Sequence, residues 1–354
     1  MHRALPSLLV LAGAAGCATP PPASISTPWG AVRAPDAETA VLTAEAFEGL
    51  RADLARILPD LTERGVDVWV QERPSAGPFL TPRRKMVDGF TLETFWRDRP
   101  RIHVALRNWG ETLPHELVHA LLGESWATLP AALEEGLADW ASVELGANGR
   151  KDVVRLGDAV QVREWSYELD YRNPDDEREG RRVTWSGTFD RGDSTSELTL
   201  DQILRMRPRG YWQTLTDGDV SHIYGVGFLI TELLVERVGI EGLHALCVEA
   251  GEEGLEQVPP DRILAAAGIE DGERFAAVAR ARRYTARLES LMQSEGFVDR
   301  VAEMLATCTD TDHASAAECL RLLRPEVRLD DGEPIPLEEL PGFAAWLASR
   351  EQRR

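Results

Sequence analysis

Between Ala40 and Leu58 the apolar residues Val41, Leu42, Phe47, Leu50, Leu54, Ile57 and Leu58 fall largely on one helical face, and Pro59 helps to end the run. The period then changes. Val66 to Val70 alternates apolar and polar residues, Gly89 to Phe95 does likewise, and Arg101 to Leu106 is a third extended candidate. Residues 41–110 therefore read as one helix packed on a small sheet, an N-terminal α/β subdomain. From Glu111 helical periodicity dominates, and 111–290 reads as a helical subdomain. Within it a polar, turn-rich insertion at 150–218, containing Asn173-Pro174-Asp175-Asp176-Glu177, separates two helical blocks. The later helices run from about 221 to 323, with breaks expected at Gly239, Pro259-Pro260 and Gly268. Residues 291–354 form a C-terminal helical tail, ending in an apolar helix from Leu340 to Leu347. The expected fold class is α+β: a small N-terminal sheet subdomain and a mainly helical remainder. No internal repeat is visible.

Composition narrows the function. The 354 residues are 43% hydrophobic and 28% charged, the profile of an ordinary globular chain. A formal net charge of −20 argues against a nucleic-acid partner, whose phosphates demand clustered Lys and Arg. Residues 1–17 read as a signal peptide. Arg3 supplies the positive start, Leu8-Leu9-Val10-Leu11-Ala12 the short apolar stretch, and small residues lead to Cys17. Ala14-Ala15-Gly16-Cys17 resembles the bacterial lipoprotein cleavage box, although Ala14 stands where that box usually has leucine. The resemblance implies acylation of Cys17, a cell-envelope location and membrane attachment through lipid alone; plain secretion is the alternative. Residues 18–36 are rich in Pro, Ala, Ser and Thr, and 18–40 read as a linker. No later apolar run reaches the roughly 18 residues that a spanning helix needs. Cys308 and Cys319 flank a turn-rich stretch and can form a disulfide in an oxidising compartment, whereas Cys247 sits in an apolar helical run.

The chemistry concentrates at His115-Glu116-Leu117-Val118-His119. On a helix, positions i and i+4 share a face, so two imidazoles can grip one metal ion. Glu116 is placed to reach a water on the metal rather than the metal itself. Thr112 can cap this helix, Pro114 suits its first turn, and Gly123 can close it. A catalytic zinc keeps three protein ligands and one open position. The next helix, from Pro130 to Trp140, offers two adjacent carboxylates, Glu134 and Glu135.

Leu133-Glu134-Glu135-Gly136-Leu137-Ala138 resembles the gluzincins, the superfamily that includes zinc aminopeptidases and the bacterial peptidase MA-like proteins. In that superfamily the third ligand is the glutamate immediately before glycine, which implies Glu135 here. Asp139, one turn later, matches an acid that orients the first histidine. Tyr224-Gly225-Val226-Gly227-Phe228 is similar to the aminopeptidase string whose tyrosine donates to the oxyanion, which implies that role for Tyr224. The likeness covers about 41–290 and is sharp only at these three strings. It implies a gluzincin-like zinc metallopeptidase whose 111–290 segment is catalytic, acting on a peptide or protein substrate. The aminopeptidase motif Gly-Ala-Met-Glu-Asn has no counterpart before His115, which weakens any carry-over of exopeptidase activity.

Plainer readings stand beside these. Tyr224 can be a packed tyrosine, and His222 a surface or core histidine. His103 reads as structural, His244 and His313 as ordinary helix residues, and Trp126 with Trp140 as core. The insertion reads as a solvated elaboration rather than a lid. The functional alternative is an envelope lipoprotein of the same fold that binds or scaffolds without catalysis. A third is a zinc hydrolase of a non-peptide amide or ester.

Overall fold

The computed structural model describes residues 20–72, 74, 89–92, 99–146, 151–161, 165–172, 182–189, 195–206, 215–292, 294–312, 315–330 and 332–351. Cys17 and His313 lie outside them. The fold is mixed α+β, and the described residues fall into two compact units, 20–126 with 144–146, and 127–143 with 151–351.

The first unit opens with a hairpin, β1 (Ala23–Thr27) and β2 (Gly30–Ala34), inside the stretch expected to be a linker. Its side chains are small, so the alternation is faint in the sequence. Pairing specifies it instead: β2 runs parallel to β3 (Asp67–Gln71), with Val32 opposite Val68. Between them α1 (Ala37–Ile57) starts at Asp36, whose carboxylate accepts from the Thr39 backbone N–H at 2.7 Å. Phe47, Leu54 and Leu58 are buried as expected, but Val41 and Leu42 are exposed, and Ala40, Thr43 and Ala44 complete the buried face.

β4 (Gly89–Leu92) and β5 (Arg101–Ala105) complete a five-stranded sheet of order β1-β2-β3-β5-β4. Its three inner strands are parallel and its two outer pairings antiparallel. Directly opposed residues share a sheet face, so Val68, Ile102 and Thr91 lie in one row. Against this sheet packs α2 (Trp109–Leu121), with Leu113, Leu117, Val118 and Leu121 fully buried. The helix starts a turn earlier than a Thr112 cap would allow, at Asn108, so Pro114 lies inside it. Proline has no N–H, which leaves the Gly110 carbonyl without its helical donor, a loss that falls close to the helix start.

The second unit begins with α3 (Ala131–Glu144) and α4 (Lys151–Ala159). The region expected as a turn-rich insertion is instead regular at α4, at the hairpin β6 (Trp165–Arg172) and β7 (Arg182–Phe189), and at α5 (Leu200–Leu204). Trp165, Tyr167, Leu169 and Tyr171 alternate with polar residues, which is the strand signal that the surrounding charge obscured. α6 (Asp217–Glu252) carries a Thr216 capping box and turns at Gly239, whose φ of 76° only glycine adopts readily. It is followed by α7 (Pro260–Ala267), which ends at left-handed Gly268, and by α8 (Gly272–Leu291).

The tail is more than helices. α9 (Glu295–Asp312), α10 (Ala316–Leu323), β8 (Glu326–Leu329), β9 (Ile335–Pro336) and α11 (Phe343–Glu351) close the chain. β8 pairs with β6, giving a second sheet of order β7-β6-β8-β9. Leu169, Phe297, Val301, Leu323, Val327 and Phe343 form a core beneath it, and the Cys308–Cys319 disulfide is buried within that core.

Candidate functional site

α2 buries its chemistry. His115, Glu116 and His119 expose 7%, 6% and 9% of their surface, too little for two solvated histidines on an outer helix face. One helical turn apart, the two rings meet edge to face with centroids 4.9 Å apart, and their Nε2 atoms are separated by 3.2 Å. Two nitrogens bound to one tetrahedral zinc, each about 2.0–2.1 Å from it, stand roughly 3.3 Å apart. The histidine pair fits that spacing. Glu135 joins them: one ligand atom from each of His115, His119 and Glu135 lies within 4.8 Å of the others, and the group can hold a metal ion. Two neutral imidazoles and one carboxylate are a donor set that suits zinc, though the same set accepts other divalent transition metals.

Glu116 is held separately. The Thr91 hydroxyl on β4 lies 2.8 Å from Glu116 Oε2 and 3.1 Å from the Glu116 carbonyl. Thr91 itself is buried. Sequence reasoning found its strand but not this contact, because nothing local links a residue 25 positions upstream to the helix.

In the second unit the residues with expected roles are organised by α6. Gly225 and Gly227 are two positions apart, about 200° around a helix, so they face opposite neighbours. A Cβ on Gly227 would come within 1.9 Å of the Ala132 carbonyl of α3, and one on Gly225 within 2.6 Å of the Arg155 carbonyl of α4. Only hydrogen at both positions lets α6 wedge between α3 and α4. Tyr224 is thereby brought against α4, where the Arg155 guanidinium lies 4.5 Å from its ring centroid.

Asp139, fully buried, forms an ion pair with Arg155 Nε, and Asp158 Oδ2 lies 3.5 Å from Arg155 Nη1. Burial would lower the Arg155 pKa; the neighbouring Asp139, Tyr224 and Asp158 and the hydrogen bond to Asp139 outweigh it and hold the pKa above the ordinary value. Arg155 was not foreseen as a partner of either Asp139 or Tyr224. It lies in the region read as solvated, and its only local signal is the i, i+3 spacing to Asp158.

The remaining histidines take plain roles. His222 is buried and its Nδ1–H donates to the Asp158 carbonyl at 3.0 Å, so Nε2 is left to accept from the Gln161 amide at 3.5 Å. Burial holds its pKa below the ordinary histidine value. His103 is buried beside Trp69, with Gln71 Oε1 2.7 Å from its Nδ1. Trp126 and Trp140 are buried, and Trp126 Nε1–H donates to the Pro59 carbonyl. Cys247 is a buried free thiol whose pKa is pushed by burial up to about 12. Compared with protein-family models, curated proteins and solved structures, the chain matches none.

Proposed function

We propose that this chain is a zinc-dependent metallopeptidase of the gluzincin kind, similar in pattern to the bacterial peptidase MA-like proteins, hydrolysing peptide bonds. The observation that carries the reading is the convergence of His115, His119 and Glu135 beside a buried glutamate. Zinc bound by those three residues supplies a Lewis acid that acidifies water and polarises a carbonyl. Glu116 takes a proton from the attacking water and returns it to the leaving nitrogen, the work of a general base and then a general acid. Tyr224 donates its phenol hydrogen to the developing oxyanion.

The hold on Glu116 favours catalysis over the scaffolding alternative. A structural metal site has no use for a buried carboxylate beside its ligands, whereas a general base needs one fixed in direction, and the Thr91 hydroxyl is placed to fix it. An unbiased peptide-library digest with wild type and Glu116→Gln tests the reading. Cleavage by wild type that collapses in the variant, with metal retained, is expected; equal cleavage by both places the chemistry elsewhere. The envelope location is part of the same proposal and rests on Cys17. Cys17→Ser should move the protein from the membrane fraction to the soluble one, and an unchanged distribution would remove the lipid anchor from the account.

A further inference from the structure

Arg155 is an unusual residue to find 18% exposed and shared between a carboxylate and an aromatic ring. Ion pairing to buried Asp139 explains why it is charged there, but not why it also lies against Tyr224. The Asp139 pair fixes the guanidinium at Nε, Asp158 flanks Nη1, and the planar group lies over the Tyr224 ring. Gly225, the next residue, lets the α6 backbone close on the Arg155 carbonyl, where a Cβ would come within 2.6 Å of its oxygen. A tyrosine has only two side-chain torsions, and clamping its ring face sets where the hydroxyl points. A cation over the ring face is attracted to it, and a guanidinium does this with a flat surface that an ammonium lacks.

We propose that Arg155 is a positioning residue for Tyr224: anchored by Asp139, it holds the phenol in the direction that oxyanion donation requires. The inference rests on the peptidase reading for the meaning of that direction, but the clamp itself can be observed without turnover.

Arg155→Lys is the informative variant, because it keeps a positive charge beside Asp139 and removes the flat stacking surface. The full chain is labelled with ring-carbon-13 tyrosine and loaded with zinc, and the Tyr224 signal, one of five, is identified by its loss in Tyr224→Phe. In Arg155→Lys that signal should shift and broaden while the other four hold. Turnover of a synthetic peptide library should show kcat down about tenfold with KM nearly unchanged, less than the 10²–10³ typical of losing an oxyanion donor outright. In the Tyr224→Phe background the same change should cost nothing further, since both act on one hydroxyl. An unmoved Tyr224 signal, or losses that simply multiply, would overturn the proposal. A moved signal in a protein whose wild type cleaves no library peptide would sink the peptidase reading and leave only the clamp.

Discussion

Thr91 Oγ1 lies 2.8 Å from Glu116 Oε2, and both side chains are buried. The contact joins an edge strand to α2 and is placed to set the direction of the carboxylate that the proposed chemistry moves a proton through. Thr91→Val keeps the shape and deletes the hydroxyl. It should lower kcat by about ten- to a hundredfold, the ~1.5–3 kcal/mol of a hydrogen bond to a charged group, while zinc content stays at the wild-type value. Thr91→Ser should recover most of the rate. If valine and serine behave alike, the hydroxyl has no part in orienting Glu116.

Glu135 and Glu134 are neighbours on α3, so their side chains diverge by about 100°. Only Glu135 converges with the histidines. Glu135→Ala should weaken zinc affinity by two orders of magnitude or more in a competitive chelator titration, and Glu134→Ala should change it by less than threefold. The opposite ranking would move the third ligand.

The glycines of α6 make a stability prediction that is independent of any activity. Gly227→Ala drives a methyl group into the Ala132 carbonyl and should cost about 3 kcal/mol or more in urea unfolding, at or beyond the upper end of ordinary overpacking. Gly49, exposed in the middle of α1 with nothing within 4 Å of its missing Cβ, gives the contrast. Gly49→Ala should stabilise by about 0.5–1 kcal/mol, the helix-propensity difference. A tolerated Gly227→Ala would mean that α3 and α6 do not pack backbone to backbone.

Asp330 accepts from Arg287 Nη1 at 2.6 Å and from the Ser166 backbone N–H at 2.8 Å. Burial pushes its pKa up, but these two bonds and the charges of Arg287 and Arg283 outweigh it, and the carboxyl sits below its ordinary value. A depressed folded pKa contributes stability that is fully present above the unfolded value of about 3.9 and lost as pH falls through the folded one. Asp330→Asn should therefore be less stable than wild type at pH 7. The gap should narrow only as pH drops below about 4. A gap that is unchanged at pH 2.5 would show that the Asp330 charge is not what stabilises the pair.

What was legible in the chain was local. The i, i+4 histidines, the helices on either side of Gly239 and the strands at Asp67–Gln71 and Arg101–Ala105 all follow from periodicity within a few residues. The β1–β2 hairpin escaped notice because Ala and Ser carry little hydrophobic signal, and its register is set by β3, more than thirty residues on. β6 alternates cleanly but sits among charges, and its partner β8 lies about 160 residues downstream, a pairing that no local pattern announces. The His115–His119 pair was visible in the helical repeat, whereas the contacts of Thr91 with Glu116 and of Arg155 with Asp139 and Tyr224 are tertiary. Arg155 is the sharper case: in the sequence it looks like one more solvated charge, and only the folded chain shows that it is held, half-buried, between Asp139 and Tyr224.

The central claim is that His115, His119 and Glu135 hold zinc. Elemental analysis of the purified, folded protein, dialysed at neutral pH against metal-free buffer, tests it most directly. The account predicts close to one zinc per chain in wild type and almost none in His119→Ala, with both proteins folded by circular dichroism. A folded wild type without zinc, or a His119→Ala variant that keeps it, would contradict the account.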